Sequence, residues 1–157
     1  MKKESNILVN SDEIFLLDEK LISKLKNLAS KHPLKRSRIC LHQNEEELVH
    51  EMIIVAKKDG IMEPHKHPFL KPESYHVIEG KLKVVIYNDD LTIKEEFHLD
   101  DQSHPRMYRI KGNVWHQPIP LTEWVVYHEV ATGPFNKNDD VIYLEDFINE
   151  KSKQQHK

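Results

Sequence analysis

The chain has 157 residues, which suits one domain with a core of ordinary size, and its 26 acidic against 23 basic side chains give a formal charge of −3. Nothing in that balance supplies a basic field, so neither nucleic acid nor an anionic membrane surface is an expected partner. One cysteine, Cys40, cannot build a disulfide framework, and no apolar run reaches the roughly 18 residues a spanning helix needs.

Residues 1–17 mix charge with a short apolar run, Ile14 to Leu17, that suits an edge strand or a packed arm. The polar start, Met1-Lys2-Lys3-Glu4-Ser5, has no signal-like apolar run, so a cytoplasmic location is expected. From Asp18 the periodicity turns helical: Leu21, Ile22, Leu25, Leu28 and Ala29 share one face, Asp18 can cap the start, and Pro33 ends the run. The spacing predicts a helix over 19–31. Beyond it the period drops to two, predicting strands over 37–41, 48–57, 62–67, 74–79, 82–87, 93–98, 107–110, 114–119 and 124–131, a sandwich or barrel. Glu79-Gly80-Lys81 and Asn88-Asp89-Asp90 read as hairpin turns, and the polar loop over 100–106 as surface. A tail over 149–157 has little to bury and is expected to be disordered. The expected division is an arm and helix over 1–36 and a barrel over 37–148, one domain overall.

The chemistry concentrates in Glu63-Pro64-His65-Lys66-His67-Pro68. In an extended strand His65 and His67 project from one face while Lys66 points away. Prolines in the next five residues break the ladder before Glu73, whose carboxylate can return toward the same point. A fourth donor is available in His116, just after the tight turn at Gly112-Asn113, where it faces one way and Trp115 and Gln117 the other, so that Trp115 would pack between sheets. Imidazole and carboxylate together suit a divalent Zn, Fe, Ni, Mn or Co ion.

These residues resemble the cupins, whose first motif pairs His-x-His with a Glu and a later Gly, and whose second supplies another His. Gly60, His65, His67, Glu73 and Gly80 look like the first motif and the stretch to His116 like the second. Within cupins the chain is most similar to the WbuC family of cupin-fold metalloproteins associated with O-antigen gene clusters. The likeness runs through the leading helix, Ser37 to His42, Glu63 to Pro68, Glu73 to Gly80, Val114-Trp115-His116 and Glu129 to Phe135. The resemblance implies an all-β fold, a double-stranded β-helix (cupin jelly-roll barrel) with an N-terminal helix. It also implies one divalent metal ion held by His65, His67, Glu73 and His116. From the association of its relatives it implies an enzyme acting on a sugar or nucleotide-sugar by Lewis-acid chemistry, such as isomerisation or epimerisation. A non-catalytic module binding a small carbohydrate or acid, and an iron-dependent dioxygenase, use the same donors. Cupins commonly pair through edge strands, so a homodimer is expected.

Tyr75 shares the parity of Glu73, which makes it a pocket wall or a core aromatic. Glu129 is a hydrogen-bond acceptor behind a ligand histidine or a solvent-facing charge. His76 falls on the face opposite Glu73 and is not expected to be a ligand. His42, His50, His98, His104 and His128 have no partner at a usable spacing and are assigned to packing or surface, as are His32 and His156 to the surface. Cys40 reads as a small buried apolar residue.

Overall fold

The computed structural model describes residues 5–102 and 105–154. In chain order these form β1 (Ile7–Val9), α1 (Glu19–Lys31), β2 (Arg36–Cys40), β3 (Val49–Lys57), β4 (His65–Lys66), β5 (Glu73–Glu79), β6 (Lys81–Tyr87), β7 (Ile93–Asp100), β8 (Met107–Ile110), β9 (Trp115–Pro120), β10 (Trp124–Thr132), β11 (Ile142–Tyr143) and α2 (Leu144–Gln154). Two sheets, ordered β1-β2-β3-β10-β5-β8 and β11-β4-β9-β6-β7, face one another as an all-β jelly roll with α1 on the outside. No helix among the described residues is long and apolar enough to cross a membrane.

The middle strands are apolar on both sides because both sides are covered. On β3, Met52, Ile54 and Ala56 enter the core between the sheets, meeting Tyr75, Val77 and Tyr127 from their own sheet and Leu82, Val84 and Ile86 from the other. The alternate residues Ile53 and Val55 turn outward, where Ile22 and Leu25 of α1 cover them together with Ile39 and Val126. The Asp18 carboxylate caps α1 by accepting from the Leu21 amide at 2.8 Å. The buried Ser37 hydroxyl donates to the Leu25 carbonyl at 2.7 Å and fastens the helix to β2.

Several expectations are corrected. The strand expected over 62–67 is hydrogen-bonded only at β4, since Pro64 and Pro68 bracket it. Of the two alternatives for the run at 14–17 the packed arm is the one formed, with Phe15 and Leu17 against the α1 core, and the edge strand is instead β1, parallel to β2. Glu79-Gly80-Lys81 is not a hairpin turn, because β5 and β6 lie in different sheets. Gly80 sits there at φ 83, and a Cβ on it would collide with the Trp124 carbonyl, so the chain turns the corner where only glycine fits. By contrast β6 and β7 do pair as a hairpin across 88–90.

The C-terminal region differs most from expectation. Residues 149–154 are helical, within α2, and not a disordered tail; residues 155–157 lie outside the described residues. The cause is Trp115, which packs outside the five-stranded sheet and not between sheets: the Phe147 ring lies 5.2 Å from it, and the Lys66 ammonium stands 4.5 Å from the Trp115 ring and 4.9 Å from that of Phe147. Leu25 is completely buried, so Leu25→Ala is expected to cost about 2–5 kcal/mol in urea unfolding with a retained jelly roll by far-UV circular dichroism. A loss within 0.5 kcal/mol or so would contradict the role given to the α1 core.

Candidate metal centre

Two distant segments are locked together before any histidine is considered. The Asn113 amide donates to the His67 carbonyl at 2.7 Å, and Asn113 adopts φ 62, a left-handed conformation that asparagine tolerates. Next to it Gly112 lies so close to residues 68 and 69 that a Cβ would overlap the Pro68 carbonyl oxygen. That contact seats the turn before β9 against the end of β4, and the strand register then places His65 directly opposite His116.

The consequence is a tight cluster. One ring nitrogen from each of His65, His67 and His116 lies within 4.8 Å of the others. Glu73, at the start of β5, presents Oε1 at 2.8 Å from His116 Nε2 and Oε2 at 3.0 Å from His67 Nε2. Glu73 and His116 are buried, and the Tyr108 hydroxyl donates to Glu73 Oε1 at 3.4 Å.

The opposite ring nitrogens settle what this cluster can hold. His65 Nδ1 bonds the Glu63 carbonyl at 2.9 Å, His67 Nδ1 the Asp140 carbonyl at 2.7 Å, and His116 Nδ1 the Val114 carbonyl at 2.9 Å. A carbonyl oxygen only accepts, so each Nδ1 donates and, in the neutral ring, each Nε2 carries a bare lone pair. The Nε2 atoms of His67 and His116 are close enough to Glu73 for hydrogen bonds but out of line for them, and both are buried without a hydrogen-bond partner. Three imidazole nitrogens gathered beside a buried carboxylate suit a cation, and a divalent ion matches the donor types. The residues therefore fit a metal.

Without an ion the charges are held unevenly. Burial and the neighbouring His116 drive His65 down to about 3. Burial would also lower His67, but the Glu73 carboxylate and the Asp140 carbonyl outweigh it and raise the ring to about 9. Burial would raise Glu73, yet His116 and His67 hold it well below the usual carboxylate range.

The cluster opens on a cavity of about 620 Å³ lined by His65, His67, Tyr75, Glu129, Tyr127 and Arg38, among others. Tyr75 and Glu129 both stand on this wall. Burial, then the negative charges of Glu129 and Glu73, push the Tyr75 hydroxyl up and keep it protonated. Glu129 is raised to about 7, first by burial and then by the Glu73 charge. His76 lies elsewhere, stacked at 6.0 Å on His128, whose Nε2 meets Glu51 at 3.3 Å; His42 and His50 stack at 3.9 Å. His104 and His156 lie outside the described residues.

Asp140 was not signalled by the sequence. Its carbonyl orients His67 while its carboxylate accepts from the Asn136 amide at 2.6 Å and faces the Lys71 ammonium at 3.3 Å. It comes from a loop of no motif, and only the fold brings it within reach. Arg36 and Arg38 were likewise unmarked as pocket residues, although β2 alternation, with the apolar Ile39 turned to α1, put them on the cavity side.

Solved structures share this architecture. An oxalate decarboxylase from Lactobacillus farciminis, in a formate complex, superposes with a TM-score of 0.52 at 19% identity over 66% of this chain and 29% of its own. CapF bound to the inhibitor 3-isopropenyl-tropolone gives 0.56 at 19% identity over 68% and 31%. A structural-genomics protein from Shewanella oneidensis gives 0.56 at 8% identity over 71% and 75%. The chain thus spans under a third of the first two proteins, and at these identities the likeness is one of fold: a cupin jelly roll. Residues 17–99 match the family described as a domain of unknown function, DUF6016, and the chain belongs to that family. No curated protein matches it.

Purified without chelators, the protein is expected to carry about one divalent ion per chain by elemental analysis, His116→Ala close to none, and the control His76→Ala about one. Full metal content in His116→Ala would remove the cluster's assignment.

Proposed function

We propose that this chain is a metal-dependent cupin of WbuC type that acts on a sugar or nucleotide-sugar in O-antigen biosynthesis, isomerising or epimerising it, as a homodimer in the cytoplasm. The observation that carries the metal part is the set of three carbonyl-fixed rings whose nitrogens gather beside an open cavity, two of them against the Glu73 carboxylate. The sugar part rests on the sequence blocks shared with WbuC-like chains.

His65, His67, Glu73 and His116 would hold the ion, which when bound supplies a Lewis acid for a carbonyl or hydroxyl oxygen. Other residues of the chain do the rest. Tyr75, kept protonated, stands on the cavity wall as a neutral hydroxyl beside Glu129. Glu129 titrates near neutrality, so its carboxylate can take a proton from a carbon beside a carbonyl and return it to that carbon or to its neighbour from the same face. The Glu63 and Asp140 carbonyls hold the His65 and His67 rings in orientation on the same cavity.

The reading is tested by incubating metal-loaded protein with keto- and aldo-sugars and nucleotide-sugars in D2O. Deuterium is expected at the carbon that receives the proton, and Glu129→Gln should slow its incorporation about 10²-fold or more with metal content unchanged. If these ligands raise the melting temperature yet no deuterium enters with any divalent metal, the protein is a binding module and the enzymatic proposal is wrong.

A further inference from the structure

The wall of the cavity on the β2 side carries cations that the metal centre does not use. Arg36 and Arg38 are two residues apart on β2, so their side chains leave the same face, and both line the cavity that His65 and His67 also line. Neither has a carboxylate within 4.0 Å among the described residues. The third cation on this wall is different: the Lys71 ammonium is already tied to Asp140 at 3.3 Å and donates to the carbonyls of Thr132 and Pro134. His32 is committed too, since its Nδ1 accepts from the Leu34 amide at 3.2 Å.

No acid on this wall forms an ion pair with these arginines among the described residues. Asp140 is occupied by Lys71 and the Asn136 amide, and Glu63 is exposed. Glu129 does feel the Arg38 charge, which acts to lower it, but burial and Glu73 outweigh that pull. Arg38 also lies against the Cys40 thiol, a weak partner that leaves most of its donors available. A guanidinium presents a planar fork of donors that carboxylate and phosphate oxygens match in pairs.

We infer that Arg38, with Arg36 beside it, is an anion-binding subsite, and that the ligand carries a carboxylate or phosphate in addition to the oxygens that would face the metal. The inference rests on the metal-dependent reading of the same cavity and narrows its substrate class to acidic or phosphorylated sugars and hydroxy acids. A neutral sugar would leave the arginines facing apolar wall or water. Arg38 is exposed at the cavity rim and Arg36 half-buried, so Arg38 receives the anion and Arg36 adds charge from deeper in the wall.

Isothermal titration of zinc-loaded protein with gluconate, glucose 6-phosphate and glucose tests the assignment. The two anions are expected to bind at least about tenfold more tightly than glucose, and Arg38→Gln should remove that advantage while zinc content stays unchanged. Arg38→Lys, which keeps the charge but not the fork, should fall between. Preference for one anion identifies its headgroup. Glucose binding as tightly as gluconate, no binding of any of the three, or anion affinity unchanged in Arg38→Gln would each overturn the subsite. The two failures separate cleanly: no zinc in any preparation with anion binding still lost in Arg38→Gln sinks the metal reading alone. Full zinc with an indifferent Arg38→Gln sinks the subsite alone.

Discussion

Three backbone carbonyls set the terms for the site. Those of Glu63, Val114 and Asp140 each occupy one nitrogen of a ring, and in doing so they decide where the other nitrogen points and what it can bind. Two of these carbonyls lie two residues before the histidine they hold, so the local backbone conformation carries the orientation with it. The third belongs to residue 140, far along the chain, which makes the loop before β11 part of the centre. Glu73 then sets a carboxylate against two of the three rings, a donor set that a divalent ion fits.

The rest of the barrel serves that convergence. The buried pairing of β3, β10 and β5 places Glu73 at a strand start next to Ala131, while the second sheet brings β4 and β9 side by side. Between the sheets the core is apolar except where tyrosines 75, 108 and 127 gather, ring against ring at 4.8 to 5.0 Å, below the carboxylates of Glu73 and Glu129. Burial keeps their hydroxyls protonated, so the core next to the site is polar without carrying charge. The five-stranded sheet is closed from outside by α2 over Trp115, which shields the backs of the strands that hold His65 and His116.

Much of this was legible in the sequence. Strand alternation placed His65 and His67 on one face and Lys66 on the other, and the three rings do come together, with Glu73 against His67 and His116. The helix over 19–31 was readable because one apolar face, a capping aspartate and a proline stop all agreed. What failed did so where local signals are weak or shared. Gly80 marks a turn in sequence, but whether that turn makes a hairpin or crosses between sheets depends on which strand pairs with which. The helix α2 shows only a short apolar stripe before a polar tail, and it is Trp115, nearly thirty residues upstream, that gives it something to cover. Asp140 contributes a carbonyl, which no side-chain motif can announce, and the cavity-facing arginines became visible only once β2 was placed between β1 and β3 beside the cavity.

The chemistry of the cavity depends on whether one ion sits among these donors. X-ray absorption at the edge of the bound metal, recorded on the purified protein, measures that directly. The prediction is a single site with three imidazole nitrogens and at least one carboxylate oxygen at about 2.0–2.2 Å, with the imidazole signal collapsing in the His65→Ala, His67→Ala double variant. A coordination shell of water oxygens alone, or one unchanged in that variant, would contradict it.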